Sequence, residues 1–339
     1  MELRLLGRTG LRVSALTLGT MTFGGAGRFG KIGATQVDEA RELIDLCLEA
    51  GVNLFDTADI YSDGLSEEIL GQALGKRRDQ VLVATKLNGR MGDGPNDAGS
   101  TRHHVVRACE ASLRRLGTDW IDLYQVHGVD ELTAMEQTLR ALDDLVRAGK
   151  VRYVGCSNFS GWHLMKALGI SGRLDLERYA SLQAYYSLVA RELEWELVPL
   201  CLDQDVGILV WSPLSGGFLS GKFRRDTPAV AGTRRTELGS VPMDEERGFR
   251  VVDALDEIAR ERGVSVAQVA LNWLLRKPGV TSLVVGARNR EQLADNLAAA
   301  TWELTPEEVA ALDEVSTGPL PYPYWHQRLF NAERLRERP

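Results

Sequence analysis

Short apolar runs recur along the whole chain and are separated by longer amphipathic stretches. Within most of these runs the apolar residues occupy consecutive positions rather than every second position. Consecutive apolar positions are typical of strands that are buried on both faces, as in a parallel sheet. The runs predict eight strands, at residues 16–21, 52–58, 81–87, 122–128, 151–158, 180–186, 207–214 and 281–287.

The stretches between these runs have helical periodicity and recognisable helix ends. Residues 35–51 and 133–149 each place apolar side chains on one helical face and then stop at a glycine. The tetrapeptides SVAQ (265–268) and TPEE (305–308) both match the capping box that starts many helices. Strands and helices therefore alternate along the chain.

Eight strands that are each followed by helical sequence predict an α/β fold, the closed (β/α)8 or TIM barrel. We see no linker composition and expect residues 1–339 to form a single domain. The opening LRLLGRTGLRVSAL has two short apolar runs around Gly7–Gly10, which predict a β-hairpin that caps the barrel floor. The polar segment 222–242, after strand 7, predicts a long loop at the barrel top and a candidate lid.

Composition and charge narrow the class of protein. Hydrophobic residues make up 44% and charged residues 26%, as in ordinary globular proteins. A net charge of −7 argues against a general nucleic-acid binder, and no run reaches the ~20 apolar residues of a membrane helix. The four dispersed cysteines favour neither a disulfide nor a metal site and indicate a reducing, cytoplasmic location. The oligomeric state has no signal in the sequence.

The segment GAGRFG (25–30) matches the glycine pattern of dinucleotide-binding Rossmann folds, and Asp56 closes the next strand. In that fold the third glycine already lies in the helix. Here KIGAT intervenes before a helix opens near Thr35. The number of strands also favours a barrel, so we keep the barrel as the predicted fold.

Polar residues stand where the predicted strands end. Asp56 ends the second strand and Tyr61 follows it, while Lys86 ends the third strand and His127 the fourth. Each of these alone also fits a structural role, but barrel strands end around one mouth, so we expect the four side chains to converge. A cation beside a phenol favours the phenolate and makes the phenol a better proton donor near neutral pH. Such a group fits protonation of a carbonyl oxygen while a cofactor delivers hydride to the carbon.

Several motifs resemble the aldo-keto reductases, in order FDTADIY, TK, QVHG, GCSNF and WSPLSGGFLSGK. The similarity runs from LGRTGLRVSALTLGTM to GARNREQLADN and covers nearly the whole chain. It implies a barrel that binds NADP(H) in extended form and reversibly reduces a small-molecule aldehyde or ketone. It also implies that Tyr61 is the general acid and that Lys86 activates it. Asp56 would pair with Lys86, and His127 would orient the carbonyl.

The same resemblance implies a set of cofactor contacts along the barrel mouth. Ser157, Asn158 and Gln183 would bind the nicotinamide amide and Trp211 would stack on its ring. Backbone N–H groups after strand 7 would wrap the pyrophosphate together with Lys222. The full set is Gly19, Thr20, Met21, Asp56, Ser157, Asn158, Gln183, Trp211, Ser212, Pro213, Leu214, Gly216, Lys222, Arg234, Gly286, Arg288, Gln292 and Asn296, in which Arg234 would close over the pyrophosphate and Gly19, Thr20 and Met21 would line the ribose.

The adenosine phosphate is expected at the start of GARNREQLADN, where a helix N-terminus favours an anion. Arg288 would clamp a 2′-phosphate through two hydrogen bonds, and its structural alternative is a solvated helix start. Other branches of the family often carry a lysine where Gly286 stands and an arginine where Gln292 stands. That departure counts against a strict preference for NADP, whereas Arg288 favours it, so NADP is the favoured cofactor and NAD is the alternative.

Two other functions stay open. A Schiff-base lyase on the same barrel would use Lys86 to trap a carbonyl. A sensor or regulatory subunit would keep the cofactor site and turn over slowly. The C-terminal segment PLPYPYWHQRLFNAERLRERP either borders the mouth and selects the substrate, or forms a packed tail.

Overall fold

The computed structural model describes residues 1–225, 234–239 and 241–335 of the chain. Its centre is a closed barrel of eight parallel strands in the order β10-β3-β4-β5-β6-β7-β8-β9. This confirms the (β/α)8 prediction and excludes the open sheet of a Rossmann fold. The barrel strands are β3 (Leu16–Gly19), β4 (Leu54–Asp56), β5 (Leu82–Leu87), β6 (Ile121–Val126), β7 (Val151–Ser157), β8 (Tyr179–Tyr185), β9 (Gly207–Trp211) and β10 (Val280–Val285).

Helices surround the barrel and follow its strands in the predicted alternation. Their bounds are α1 (Val37–Glu49), α2 (Leu65–Leu74), α3 (Arg102–Leu116), α4 (Met135–Arg147), α5 (Gly161–Leu174), α6 (Leu197–Asp203), α7 (Arg234–Leu238), α8 (Glu245–Arg262), α9 (Val266–Leu275), α10 (Arg290–Ala298), α11 (Pro306–Ser316) and α12 (Tyr324–Leu335). The glycines predicted to end α1 and α4 follow those helices in left-handed backbone conformations. The periodicity thus located these two helices correctly.

The two predicted capping boxes differ in outcome. At the start of α11, Thr305 and Glu308 form the complete box, in which each side chain bonds the backbone of the other. At the start of α9, Ser265 accepts a bond from the backbone N–H of Gln268. The Gln268 amide, however, donates to Asp295 and accepts from Trp302. Tertiary contacts therefore take the side chain that would have completed the second box.

The N-terminal hairpin closes the floor of the barrel, as the sequence predicted. Strands β1 (Leu3–Leu5) and β2 (Arg12–Ser14) pair antiparallel. Side chains from the hairpin pack with inward-facing residues of the barrel in one apolar cluster. The buried members of that cluster are Leu6, Val13, Leu54, Ala84, Leu123, Ala180 and Leu209.

Two segments singled out by their sequence form short helical turns. The glycine-rich GAGRFG enters a 3-10 turn at Gly27–Lys31, and α1 begins only at Val37. In the long loop, α7 packs near the mouth, whereas residues 226–233 and 240 of the predicted lid lie outside the described residues. The lid therefore stays a prediction.

All four cysteines are buried free thiols. Burial raises the pKa of Cys47, Cys109 and Cys201 to about 12, so these thiols stay protonated near neutral pH. Across the described ranges, none of the helices combines the length and apolar character needed to cross a membrane.

Candidate active site

The barrel interior changes from apolar at the floor to polar at the mouth. Successive side chains along a strand point to opposite faces, so every second residue of a barrel strand points at the barrel axis. Leu54, Ala84 and Leu123 belong to the floor cluster. Two positions further along β4, β5 and β6 stand Asp56, Lys86 and Gln125, which form a polar layer directly above that floor. This alternation fixes where the charged groups lie.

Asp56 and Lys86 form a buried ion pair at the centre of this layer. The Lys86 Nζ lies 2.5 Å from Asp56 Oδ1, and the two side chains are 0% and 2% exposed respectively. The ammonium also donates to the carbonyl of Thr57 at 2.8 Å and to the hydroxyl of Tyr61 at 3.4 Å. Burial alone would lower the pKa of Lys86, but the Asp56 carboxylate and then Tyr61 raise it above its usual value. Lys86 is therefore a fixed cation beside the Tyr61 hydroxyl.

The second carboxylate oxygen of Asp56 accepts hydrogen bonds from two amides. Gln183 Nε2 donates at 2.7 Å and Gln125 Nε2 at 3.2 Å. The sequence assigned Gln183 to the nicotinamide and missed Gln125 altogether. Gln125 stands two residues before His127 and therefore faces the same side of the strand, the barrel interior. This spacing is the signal that would have identified Gln125. These bonds lock the carboxylate and, through it, the ammonium of Lys86.

Tyr61 and His127 meet across the mouth, as the sequence predicted. Their rings lie 6.0 Å apart in an edge-to-face arrangement, and the Lys86 Nζ lies 5.0 Å from the centroid of the tyrosine ring. Phe29, which the sequence did not single out, packs edge-on against the same ring at 5.2 Å. The structure thus brings together all four residues of the predicted catalytic group and packs Phe29 against one of them.

A single cavity runs from Tyr61 to the start of α10. It contains most of the predicted cofactor residues and brings together segments far apart in the sequence. Predicted residues that line it are Gly19, Met21, Asp56, Gln183, Trp211, Ser212, Pro213, Leu214, Gly216, Lys222, Arg234, Gly286, Arg288, Gln292 and Asn296. Lining residues that the sequence missed include Thr22, Ile32, Ser220 and Asp295. The cavity wall is thus formed by loops after β3, β9 and β10, where the barrel strands end.

Three of the predicted cofactor-binding residues do not line this cavity. Thr20 is buried, and its hydroxyl bonds Ser66 and the carbonyl of Asp56. Asn158 donates to the carbonyl of His127 and accepts from the Trp211 indole, each at 3.0 Å. The hydroxyl of Ser157 is buried and has no hydrogen-bond partner among the described residues. Thr20 and Asn158 therefore bind protein groups, whereas Ser157 keeps a polar atom unused next to the polar layer.

Trp211 is held between two neighbours. Tyr185 stacks on it with ring centroids 4.9 Å apart and an interplanar angle of 27°. The guanidinium of Arg234 lies 5.6 Å from the indole centroid, so the long loop reaches the mouth at this point. Burial lowers the pKa of Arg234 below its usual value, against the opposing influence of Tyr61 and Tyr185. The indole of Trp211, which is the predicted stacking partner of the nicotinamide, is therefore also contacted by the Arg234 cation of the long loop.

The far end of the cavity is built around the first turn of α10. Asn289 caps this helix by accepting from the backbone N–H of Gln292. The side chain of Gln292 in turn accepts from the backbone N–H of Arg288, and Asn296 donates to the carbonyl of Gly286. Arg288 is exposed and makes no ion pair with any described residue. An exposed arginine at a helix N-terminus can bind a phosphate.

The C-terminal segment does not reach this cavity within the described residues. Tyr324 stacks on Trp195, with ring centroids 6.4 Å apart, and this contact attaches α12 to the loop after β8. Tyr322 and Phe330 are 74% and 76% exposed. No described residue after 316 lines the cavity. Two interpretations of this segment were open, a packed tail and a border of the mouth that selects the substrate. The structure favours the tail.

Several known proteins are similar to this chain over nearly its whole length. An uncharacterized oxidoreductase of Bacillus subtilis, YrpG, is 37% identical over 94% of this chain and 97% of its own length. A probable voltage-gated potassium channel subunit beta of Oryza sativa is also 37% identical, over 93% and 96% of the two chains. Versiconal hemiacetal acetate reductase of Aspergillus parasiticus is 34% identical, over 93% and 96%. The family model described as the aldo/keto reductase family matches residues 15–317, and the chain therefore belongs to the aldo/keto reductase family.

Proposed function

We propose that this protein catalyses the NADP(H)-dependent, reversible reduction of an aldehyde or ketone to the alcohol. The observation that carries the proposal is the buried series of contacts from Asp56 through Lys86 to the hydroxyl of Tyr61, at the wall of the cavity. Membership of the family and relatives named as oxidoreductases support carbonyl reduction in general. The roles of individual residues and the choice of NADP are part of the proposal.

Reduction adds a hydride to the carbonyl carbon and a proton to the carbonyl oxygen. Nicotinamide, when bound, supplies the hydride. Tyr61 gives its hydroxyl proton to the oxygen and is left as a phenolate, which the fixed charge of Lys86 stabilises. In the oxidative direction the phenolate takes the proton back from the alcohol. Asp56 holds Lys86 in place, and His127 hydrogen-bonds the carbonyl oxygen so that it faces Tyr61.

The residues present fit a nicotinamide dinucleotide. The unpartnered hydroxyl of Ser157 offers a hydrogen bond at the barrel mouth, and a ring on Trp211 would take the space that the Arg234 guanidinium approaches. Gly286 is open on its Cβ side, with the nearest atom 3.8 Å away, so backbone can approach a ligand there. Arg288 and Lys222 supply exposed cations for phosphate groups. Arg288 is our basis for preferring NADP to NAD.

A Schiff-base lyase is poorly supported. A nucleophilic lysine must be neutral and must reach the carbonyl carbon. Lys86 is fully buried, donates hydrogen bonds to three groups and has a raised pKa. The contacts that make Lys86 a good fixed cation make it a poor nucleophile.

A regulatory subunit is the second candidate, because relatives in Oryza sativa and Arabidopsis thaliana are named as probable potassium channel β subunits. In that role the cofactor would bind tightly and turnover would be slow. The complete group of Asp56, Tyr61, Lys86 and His127 favours the enzyme. Rapid NADPH oxidation with a simple aldehyde would exclude the slow-turnover role.

The proposal is tested by following NADPH absorbance with a panel of aldehydes and ketones, with NADH in parallel. Tyr61→Phe keeps the ring and removes the proton donor. We expect its turnover to fall by about 10²–10⁴-fold, while NADPH affinity, measured by fluorescence titration, stays within about twofold. If Tyr61→Phe loses NADPH binding instead, Tyr61 is a cofactor contact and the acid role is wrong.

A further inference from the structure

The turn that follows Tyr61 has an unusual backbone. Ser62 has φ 48° and Asp63 has φ 56°, and Gly64 follows with φ 95° before α2 begins. Residues with a side chain rarely adopt such left-handed conformations, because Cβ then crowds the backbone carbonyl. Two of them in succession persist only where surrounding contacts hold the turn. Tyr61 is thus presented by a strained segment.

Ser62 makes the contacts that hold this turn. Its side chain is fully buried, and its hydroxyl donates to the carbonyl of Phe23 at 2.9 Å. The same oxygen accepts from the backbone N–H of Gly25 at 3.2 Å. Between these two residues, a Cβ on Gly24 would lie only 2.5 Å from the Ser62 Cβ. The serine and the loop at 23–25 therefore interlock, and the missing side chain of Gly24 makes the fit possible.

The loop that Ser62 binds also contacts the Tyr61 ring. A few residues further along, Phe29 packs edge-on against that ring at 5.2 Å. Tyr61 is therefore held in two ways by the same loop, through the hydroxyl of the next residue and through its own ring. On its other side the hydroxyl of Tyr61 accepts from Lys86 at 3.4 Å, a separation that a small shift of the turn would lengthen beyond a hydrogen bond.

We propose that Ser62 is a positioning residue for Tyr61: its two hydrogen bonds to the loop at 23–25 fix the strained turn and hold the phenol at Lys86. Ser62 lies away from the reacting atoms and acts through its neighbour. This inference rests on the proposed function, in which Tyr61 is the general acid. It predicts that the Ser62 hydroxyl affects the chemical step more than cofactor binding.

The test separates the hydroxyl from the backbone strain. Ser62→Gly removes both hydrogen bonds but suits the left-handed conformation, so the variant is expected to fold. Asp63→Gly is the matched control, since it relieves the same kind of strain on an exposed residue and leaves the Ser62 hydroxyl in place. Each variant is compared with Tyr61→Phe by the single-turnover rate of NADPH oxidation, by NADPH affinity and by urea unfolding.

We expect Ser62→Gly to lower the single-turnover rate by about 10–100-fold, since a displacement of about 1 Å can cost that much. NADPH affinity should stay within about twofold. Asp63→Gly should stay within about twofold of the unsubstituted protein in single-turnover rate and in NADPH affinity, and it should not be less stable to urea.

Two results would overturn the inference, and they differ from failure of the proposed function. If Tyr61→Phe is inactive while Ser62→Gly keeps the normal single-turnover rate, Tyr61 is the acid and Ser62 does not position it. If Ser62→Gly and Asp63→Gly slow the reaction equally, the backbone and not the hydroxyl is responsible. Full activity of Tyr61→Phe would overturn the proposed function, and the positioning role with it.

Discussion

The charged side chains along the cavity differ in burial and in ion pairing. At the barrel mouth, Asp56 and Lys86 are 2% and 0% exposed, and each is bonded to several partners; those of Asp56 come from β5, β6 and β8. Further along the cavity, Arg288 at the start of α10 and Lys222 in the loop after β9 are exposed, and neither forms an ion pair with a described residue. Asp56 and Lys86 neutralise each other, whereas the positive charges of Arg288 and Lys222 remain available to a ligand.

This difference indicates which charged residues should affect the chemical step and which should affect cofactor binding. A buried charge must be paired and hydrogen-bonded, so its position is fixed by strands before any ligand arrives. An exposed, unpaired cation is flexible and gains most when an anion binds. We therefore expect substitutions at the mouth to change the rate of the chemical step, and substitutions at the far end to change cofactor affinity.

Lys86→Met should have the largest effect, because it removes the cation and leaves Asp56 buried without a counter-charge. We expect the single-turnover rate to fall by on the order of 10³-fold and the free energy of unfolding to drop by about 3–5 kcal/mol. Stopped-flow absorbance and urea unfolding measure the two quantities. The double variant Asp56→Asn/Lys86→Met should recover part of the stability and none of the rate. Recovery of the rate would mean that the pair is structural only.

Arg288→Ala should affect binding and leave the chemical step unchanged. Loss of a charge-assisted contact to a 2′-phosphate is expected to weaken NADPH by about 10–100-fold and NADH by less than about twofold. Arg290, two residues further and also exposed, supplies the matched control, and Arg290→Ala should change neither affinity appreciably. Fluorescence titration of both cofactors measures the effect. Equal weakening of NADPH and NADH would refute the 2′-phosphate contact.

Ionic strength should give the smallest effect and the broadest test of the comparison. Raising salt from about 0.05 M to about 0.5 M shortens the screening length several-fold, which weakens exposed charges far more than buried ones. NADPH affinity should therefore fall by about three- to tenfold, whereas the single-turnover rate at saturating NADPH should stay constant. A rate that falls in parallel with affinity would show that the mouth is as open to solvent as the far end.

The fold was predictable because its signals are local and repeated. Each barrel strand lies within or next to a predicted apolar run, and the structure shortens runs such as 52–58 to the residues Leu54–Asp56 that pair with β3 and β5. The glycine-rich GAGRFG was a misleading pattern, and the strand count outweighed it. The half-formed capping box at α9 shows the limit of local patterns, since the Gln268 side chain bonds Asp295 on the neighbouring helix α10 instead.

The candidate site was predictable where residues end strands, and less so elsewhere. Asp56, Lys86 and His127 stand at strand ends, where topology alone brings them together. Gln125 lies inside an apolar run and becomes visible only once the inward register is known. Phe29 and Ser62 act through loop conformations that have no periodic signal. The single-domain organisation and the roles of the site residues stay predictions.

The hairpin under the barrel has an electrostatic consequence. Its side chains help to fill the space below Asp56 and Lys86 with hydrocarbon, so water approaches the pair from the mouth. A flat ligand lying across that mouth would enclose the pair between two dry layers. The field of the ammonium at the phenol would then strengthen at the moment the reactants are in place, with no movement of the protein.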